Sequence, residues 1–249
     1  MLTTIKRSAR QLARGFGLDL HRLDKLASEH TRLALLLAAN RVDLVLDIGA
    51  NAGQWARELR QAGYAGDMIS FEPLLQAHTD LSRHAINDPK WTVAPRVALG
   101  EQNAEVEIHV AGNSASSSLL QMLPMHVAGA PKSAYVGSEK TSMVTLDSLL
   151  GTVIPTGRRI FCKLDVQGYE AKVLAGAARL LKDVIGLQME ISLAPLYNGQ
   201  PAFNELLDSM SRSGFAIFGF VPGFVDPATG RMLQIDGVFF KTPGEGPMP

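Results

Sequence analysis

The chain has a single cysteine, Cys162, among its 249 residues. One cysteine excludes an intramolecular disulfide, and nothing in the composition indicates an oxidising compartment. Cys162 lies in an apolar, strand-like run, which favours a small core residue over a reactive thiol, because reactive thiols need an electropositive and partly open setting. We therefore expect no cysteine chemistry in the function.

Long apolar runs are also missing. The longest early run, residues 33–39, is far shorter than the roughly 20 residues needed to span a bilayer. The long basic stretch before it fits a signal peptide poorly. These absences predict a cytoplasmic protein, with contact to the inner face of the membrane left open.

An excess of charge of one sign is lacking too, since Lys plus Arg and Asp plus Glu number 24 each. Without a net field we expect no nucleic-acid partner. The charge is nevertheless uneven, because residues 1–41 hold eight basic side chains against three acidic ones. Apolar residues recur at near-helical spacing within residues 1–20, which fits a helix on an anionic membrane or a helix packed on the core or on a second subunit. Both interpretations, and with them a homo-oligomer, stay open.

What is present is an alternation of apolar strand-like runs and helical stretches, in a chain of a length that suits one α/β domain. Such alternation predicts a parallel sheet. The predicted strands are residues 43–47, 67–71, 91–97, 159–164, 184–191, 215–220 and 235–240. The predicted helices are residues 53–62, 74–85, 169–182 and 202–212.

Residues 101–145 interrupt this alternation. They contain a predicted hairpin strand at 106–110, a Ser-rich stretch and a segment rich in glycine and proline. An insertion of that size beside a ligand site is typical of a lid or of a substrate-binding element. The chain thus divides into a helical extension at 1–40, one α/β domain at 41–242 and a disordered tail at 243–249.

A glycine turn after the first predicted strand is the most informative pattern in the chain. Its sequence is Asp47-Ile-Gly-Ala-Asn-Ala-Gly53, and Gly49 and Gly53 relieve crowding where backbone must approach a ligand. Glu72 ends the next strand, where a carboxylate can accept both hydroxyls of a ribose. Together these features predict a nucleotide-type cofactor site.

The spacing of this turn distinguishes between cofactor classes. It is G-x-x-x-G, whereas a dinucleotide fingerprint is G-x-G-x-x-G with the pyrophosphate on a helix N-terminus. S-adenosylmethionine has no pyrophosphate, and an acidic Asp47 beside the turn would attract its ammonium and repel a phosphate. A nicotinamide-dependent oxidoreductase on the same kind of sheet is the alternative, which the spacing disfavours.

Two carboxylates follow later strands at the same predicted edge of the sheet. Asp165 ends the strand at 159–164 and Glu190 ends the next one, and ligands of open α/β sheets lie at that edge. The pair could act as a general base for a hydroxyl, or hold a divalent cation such as Mg²⁺ that lowers the pKa of the hydroxyl. The structural alternatives are a helix N-cap for Asp165 and an ion pair for Glu190. His126 in the insertion has a suitable pKa for a base, although a lone loop histidine is commonly just exposed to solvent.

Several short blocks occur in one order along residues 40–240. They are Asp47-Ile-Gly-Ala-Asn-Ala-Gly-Gln54, Phe71-Glu-Pro73, Val97-Ala-Leu-Gly100, Val144-Thr-Leu-Asp147, Lys163-Leu-Asp-Val-Gln-Gly-Tyr-Glu170 and Val173-Leu-Ala-Gly-Ala177. With these blocks the chain resembles an FkbM-type methyltransferase. The resemblance implies a class I, Rossmann-like α/β fold with a seven-stranded, mainly parallel sheet and helices on both faces. It also implies S-adenosylmethionine as donor and O-methylation of hydroxyls on sugars, glycolipids or polyketide-derived products.

The resemblance also assigns roles to individual residues. The implied cofactor contacts are Asp47, Gly49, Asn51 and Gly53 with the amino-acid end, Glu72 with the ribose, and Ala98 and Leu99 near the adenine. Ordinary strand packing is the alternative for the last two. Removal of the hydroxyl proton is expected to fall first to Asp165, then to Glu190 and then to His126.

The leading hypothesis is therefore an S-adenosylmethionine-dependent O-methyltransferase. Its acceptor would be a small-molecule or lipid-linked sugar, a glycolipid or a related secondary metabolite. A noncatalytic scaffold that keeps the cofactor pocket is a third hypothesis, against which the two carboxylates argue mildly. The sequence leaves open the acceptor, the methylated position and the need for a metal.

Overall fold

A computed structural model describes residues 28–241 together with Leu12 and Gly15, and within them ten β-strands form two sheets. The strands are β1 Leu44–Ile48, β2 Asp67–Phe71, β3 Trp91–Val93, β4 Ala98–Leu99, β5 Ala104–Ala111, β6 Tyr135–Val144, β7 Ile160–Leu164, β8 Val184–Ser192, β9 Phe215–Pro222 and β10 Gln234–Lys241. The α-helices are α1 Glu29–Ala39, α2 Gln54–Gln61, α3 Leu75–Ala85, α4 Pro124–Gly129, α5 Glu170–Ala175 and α6 Phe203–Arg212. Short 3₁₀ helices lie at Pro131–Ser133, Leu146–Leu149 and Leu180–Lys182.

The main sheet has seven strands in the order β3-β2-β1-β7-β8-β10-β9. Neighbouring strands are parallel except β10, which runs antiparallel to both β8 and β9. All seven predicted strands are present, although β3 ends at Val93 rather than at residue 97. Pro95 follows closely, and proline has no N–H to donate to a neighbouring strand. The prediction of a seven-stranded, mainly parallel α/β sheet is confirmed.

The register of the parallel strands brings their carboxyl ends together. The last residues of β1, β2 and β7 are paired across the sheet, so the residues that follow them, Gly49, Glu72 and Asp165, lie at one edge. The pairing of β7 with β8 places Glu190 next to Asp165, and Asp236 of β10 is paired with Glu190. Since β1 lies where the strand order reverses, this edge is where an open α/β sheet forms its ligand crevice.

Strand β1 contributes to two hydrophobic clusters. Leu44, Leu46 and Ile48 join side chains of α5 and α6, whereas Val45 joins side chains of α1, α2 and α3. Successive side chains of a strand point to opposite faces, so β1 is apolar apart from Asp47 because both of its faces are buried. Cys162 of β7 is 3% exposed and burial raises its pKa to about 12, which confirms its prediction as a core residue.

The predicted helix at 169–182 is wrong in its extent. Helix α5 ends at Ala175, and a short 3₁₀ helix follows only at Leu180–Lys182. A Cβ at Gly176 would lie 2.0 Å from the carbonyl oxygen of Gly100, so at this point the chain packs against other backbone. The recurring apolar residues that suggested one continuous helix include Val173 and Leu180, which are buried in one hydrophobic cluster.

The insertion at 101–145 forms, together with β4 just before it, a second, three-stranded sheet with the order β4-β6-β5. Strands β5 and β6 are an antiparallel pair, which confirms the hairpin strand predicted at 106–110. Strand β6 was not predicted. Only Thr141 and Met143 of its ten residues are buried, so its sequence lacks the apolar alternation by which a strand is recognised.

The predicted basic helices of residues 1–27 and the predicted tail at 243–249 lie outside the described residues, apart from Leu12 and Gly15. Helix α1, from the predicted extension, buries Leu33 and Leu37 in the same cluster as Val45. Within the described part of the chain, none of the helices is long and apolar enough to cross a membrane.

Candidate active site

The glycine turn after β1 has an unusual backbone. Gly49, Asn51 and Gly53 all have positive φ, at 78°, 47° and 82°. A Cβ at Gly49 would lie 1.9 Å from the carbonyl oxygen of Asp165, so both conformation and space require glycine there. A Cβ at Gly53 would lie 2.9 Å from the ring of Trp91, which packs beneath the turn. The turn thus brings the ends of β1 and β7 into backbone contact.

A cleft with an empty volume of about 610 Å³ opens at this edge of the sheet. The predicted site residues that line it are Gly49, Asn51, Glu72, Ala98, Leu99 and Asp165. Its apolar wall is formed by residues that include Phe71, Leu74, Val97, Ile108 and Leu119. An apolar wall suits an adenine, and the glycine turn leaves backbone open to a ligand where a side chain would fill the space. The cleft therefore fits the predicted cofactor, although Asp47, Gly53, Glu190 and His126 do not line it.

Glu72 is held by the backbone beside it. One of its oxygens accepts the N–H of Asn51 at 2.8 Å, and the other accepts the N–H of Leu74 at 2.9 Å. Burial raises the pKa of Glu72 to about 7, and the two N–H donors oppose part of that shift. Each carboxylate oxygen keeps a further lone pair, so acceptance of ribose hydroxyls is compatible with these bonds.

Asp47 is completely buried in β1. Its Oδ2 accepts the hydroxyl of Ser70 at 3.0 Å, and its Oδ1 lies 3.8 Å from Nζ of Lys163. Burial raises the pKa of Asp47, opposed first by the charge of Lys163. The carboxylate is thus part of a buried ion pair beneath the turn, and direct contact with a cofactor ammonium stays a prediction.

Asp165 and Glu190 are joined by one side-chain amide. Nε2 of Gln167 donates to Oδ1 of Asp165 at 2.7 Å and to Oε2 of Glu190 at 3.0 Å. Nζ of Lys163 donates to the other oxygen of Asp165 at 3.1 Å. Asp165 faces the cofactor cleft, whereas Glu190 lines a neighbouring cavity with Gly168. The predicted pair is therefore assembled, with Asp165 the member that a ligand in the cleft can reach.

Glu190 lies among several other ionisable groups. Burial raises its pKa well above the ordinary value, and the charges of Asp165, Glu170 and Asp236 raise it further, while Lys163 lowers it. The proton on this cluster is shared by interacting groups. Glu190 can therefore retain a proton at a pH where an exposed glutamate has lost it.

The residues around this pair do not fit the predicted Mg²⁺. The oxygens of Asp165 are occupied by Lys163 and Gln167, and Gln167 also occupies one oxygen of Glu190. Across the described residues, no group of three or more His, Cys, Asp or Glu side chains is arranged to hold a metal ion. The proton of the acceptor hydroxyl is therefore assigned to the side chains of the site and not to a metal-bound group.

His126 does not reach the cleft. It is 3% exposed, and its ring lies 5.2 Å from that of Tyr197 and 5.3 Å from that of Phe224. Burial lowers its pKa, so it is held neutral in an aromatic environment. The sequence suggested an exposed loop residue or a base, and the structure supports neither.

The Ser-rich stretch closes over the cleft and connects its two sides. Asn51 donates its side-chain amide to Oγ of Ser114 at 3.1 Å, and Ser118 donates its hydroxyl to the carbonyl of Gln167 at 2.7 Å. This supports the prediction of a lid. The Ser-rich stretch contacts Gln167, and Gln167 contacts Tyr197. The sequence did not assign either residue to the site. Gln167 lay within a quoted block, but Tyr197 had no sequence signal.

The fold and the cleft define an α/β enzyme with a site for an adenosine-bearing cofactor. The family model of the Methyltransferase FkbM domain matches residues 47–217, more than half of the chain, and the chain belongs to this family. It is an S-adenosylmethionine-dependent methyltransferase. The resemblance drawn from the sequence blocks is confirmed, and family membership selects methyl transfer over the oxidoreductase and scaffold alternatives.

Comparison with solved structures gives further similar proteins. One is the TehB-like SAM-dependent methyltransferase of Corynebacterium glutamicum, with 14% identity and a TM-score of 0.42, covering 96% of this chain and 97% of that one. Another is the 1,6-didemethyltoxoflavin-N1-methyltransferase of Burkholderia thailandensis with bound S-adenosylhomocysteine, with 11% identity and a TM-score of 0.43, covering 97% and 87%. Comparison with curated proteins found no match. At these identities and scores, the likeness says nothing about the acceptor.

The raised pKa of Glu72 predicts a pH dependence of stability. The ordinary value is 4.5 and the folded value is about 7, so between these pH values the folded protein holds a proton that the unfolded chain has released. The free energy of unfolding should therefore fall as pH rises through this window, by roughly 3–4 kcal/mol at most from this group. Urea unfolding of wild type and Glu72→Gln from pH 5 to 8 measures the difference in slope. Because Glu170 also has a pKa raised to about 7, the variant should keep part of the slope, and equal slopes would contradict the role of Glu72.

Proposed function

We propose that this methyltransferase is an O-methyltransferase that acts on a hydroxyl of a sugar, glycolipid or related secondary metabolite. The observation that carries the proposal is Asp165, a carboxylate that faces the cofactor cleft and is held from two sides by Lys163 and Gln167. When bound, S-adenosylmethionine supplies a methyl group already activated by the sulfonium. The protein then has to align the acceptor oxygen and take up its proton.

Asp165 is the first candidate for the base. Its lone pairs not used by Lys163 and Gln167 remain available to an acceptor hydroxyl. Glu190 is the second candidate, since the amide of Gln167 joins it to Asp165. A proton taken by Asp165 would remain within this interacting cluster.

A second cleft supports a carbohydrate acceptor. It has an empty volume of about 910 Å³ and lies between β8 and the start of α6. Its lining combines aromatic, apolar, hydroxyl and amide side chains, and none of the described lining residues is charged. Amide groups that can hydrogen-bond hydroxyls beside aromatic rings suit a neutral sugar. Tyr197 lines this cleft, and its hydroxyl donates to Gln167, which in turn contacts Asp165.

The wider setting of the enzyme belongs to the same proposal. We place the protein in the cytoplasm. If its acceptor is lipid-linked, contact between residues 1–20 and the inner face of the membrane would bring the enzyme to that acceptor. The balanced charge supports an acceptor that is not a nucleic acid. The two clusters that share β1 support helices on both faces of the main sheet. Self-association stays a prediction.

The test is transfer of a labelled methyl group to a panel of acceptors. The panel contains neutral glycosides and glycolipids, phenols and amines, with product structures determined by mass spectrometry and NMR. We expect a methyl ether on a glycoside, with the same turnover in the presence of a chelator. Methylation of nitrogen or carbon alone would overturn the O-methyl part, and methylation of phenols but not glycosides would overturn the acceptor class. Calorimetric titration with S-adenosylhomocysteine, with NADH as the control, verifies that each protein preparation can bind the cofactor.

A further inference from the structure

The amide of Gln167 holds two acidic side chains that would otherwise repel each other. Asp165 and Glu190 come from the adjacent ends of β7 and β8, and both accept from the same Nε2, at 2.7 and 3.0 Å. A side-chain NH₂ group has two hydrogens, so it can satisfy one oxygen of each carboxylate at the same time. These two hydrogen bonds, here called the Gln167 bridge, therefore set the orientation of both carboxylates.

Tyr197 fixes which end of the amide faces the carboxylates. Its hydroxyl donates to Oε1 of Gln167 at 2.6 Å, and the tyrosine side chain is 1% exposed. If the amide were reversed, its oxygen would face the two acidic groups and its NH₂ would face the tyrosine hydroxyl. The tyrosine hydroxyl thus stabilises the one orientation in which the amide donates to both acidic residues.

The backbone at Gln167 shows that this position is held against strain. Its φ is 54°, in the left-handed region that glycine tolerates and other residues rarely adopt. Such conformations persist where surrounding contacts enforce them, and they cluster at functional sites. Here the contacts are the side-chain bonds above and the hydroxyl of Ser118, which donates to the carbonyl of Gln167 at 2.7 Å.

We propose that Gln167 is a positioning residue for methyl transfer, which aligns Asp165 toward the acceptor through an amide orientation that Tyr197 imposes. This inference rests on the proposed function, because it assigns Asp165 to the acceptor proton. Gln167 acts through the carboxylates and need not touch the substrate. Lys163 holds the remaining oxygen of Asp165, so the loss of either donor would leave that carboxylate held from one side only.

The N–H donor of Gln167 also affects the pKa of Glu190. Glu190 faces Lys163 of β7, Asp165 directly after β7, Glu170 of α5 and Asp236 of β10. Three of these four groups are acidic, so removing the N–H donor would raise the pKa of Glu190 further. A pH profile therefore reports the loss of the bridge, whereas a general loss of stability would not shift it.

The experiment compares Gln167→Gly, Tyr197→Phe and the double variant with wild type. Glycine removes the amide yet accepts the left-handed backbone, so this variant relieves strain rather than adding it. For Gln167→Gly we expect kcat to fall about tenfold or more, with unchanged affinity for S-adenosylhomocysteine and a pH profile moved to higher pH. Tyr197→Phe should cause a smaller loss with the same direction of the pH shift. The double variant should be no slower than Gln167→Gly, because the tyrosine acts through the amide.

Tyr64→Phe is the matched control. Its hydroxyl donates to the carbonyl of Asp67 at 3.3 Å, at the start of β2 and away from Gln167, so kcat and the pH profile should stay as in wild type. An unchanged kcat in Gln167→Gly would overturn the proposal. Additive losses in the double variant would overturn the role of Tyr197.

A second readout needs no acceptor. Carbon-13 NMR of labelled glutamate carboxyl groups follows the titration of Glu190 directly, and we expect its pKa to rise further in Gln167→Gly and in Tyr197→Phe. Unchanged titration would overturn the bridge itself. If the titration shifts but the acceptor screen finds no O-methylation, the proposed function fails while the bridge stands.

Discussion

Replacement of Gly49 by alanine is expected to abolish the binding of S-adenosylhomocysteine. The new Cβ would lie 1.9 Å from the carbonyl oxygen of Asp165 and 2.8 Å from its carbonyl carbon. Both are backbone atoms, so the ends of β1 and β7 would have to separate and the cleft between them would change shape. We expect a loss of affinity of about 100-fold or more, which corresponds to about 2.7 kcal/mol, together with a lower melting temperature. Calorimetric titration and thermal unfolding measure the two effects.

Gly151→Ala is the matched control for this variant. Gly151 has a φ of 79°, against 78° at Gly49, but a Cβ there would have no heavy atom within 4 Å. The control thus carries the conformational strain alone, roughly 1–2 kcal/mol of stability, and should keep its affinity. If the two variants lost affinity and stability equally, the close approach of the turn to β7 would not be the reason that glycine is needed.

Asp165→Asn is expected to remove most of the methyl transfer while the cofactor still binds. The amide keeps the size of the carboxylate but cannot take up the hydroxyl proton, and a positioned general base typically contributes 10²- to 10⁴-fold. We therefore expect kcat to fall about 100-fold or more, with the affinity for S-adenosylhomocysteine within about threefold of wild type. Steady-state kinetics with an acceptor from the screen, beside calorimetry, separates the two quantities.

Asp147→Asn controls for the same chemical change outside the cleft. Asp147 accepts the backbone N–H groups of Arg179 and Leu180, each at 2.9 Å, so it caps a turn. Its variant should lose stability, by about 1 kcal/mol, but keep its kcat. A nearly normal kcat in Asp165→Asn, with Glu190→Gln strongly impaired, would transfer the role of base to Glu190.

Local sequence patterns predicted the part of the site that depends on backbone. The glycine turn, Glu72 and Asp165 each follow an apolar strand, and parallel strands deliver the residues after them to one edge. Their place in the cleft follows from chain order and strand pairing, and needs no knowledge of side-chain contacts. The family could be predicted for the same reason, since its blocks are the strand ends and turns.

The sequence did not predict the environment of individual side chains. Asp47 and Glu190 were predicted beside the cleft like Asp165, but the first is paired with Lys163 inside the sheet and the second lies beyond Gln167. Spacing along the chain cannot state whether a carboxylate at a strand end points into a crevice or into the protein. That depends on neighbours supplied by other parts of the chain, which for Asp47 and Lys163 are more than a hundred residues apart.

The sequence by itself thus determined the α/β class, the seven-stranded sheet, the glycine turn and the methyltransferase family, because these follow from short-range pattern and strand order. The tertiary structure alone decided that helix α5 stops at Ala175, that the polar strand β6 pairs with β5, and that His126 is buried among aromatic rings. It also decided that Tyr197 meets Gln167, 30 residues before it in the chain. These are long-range contacts, and burial and hydrogen-bond partners are properties of the packed chain rather than of any local segment.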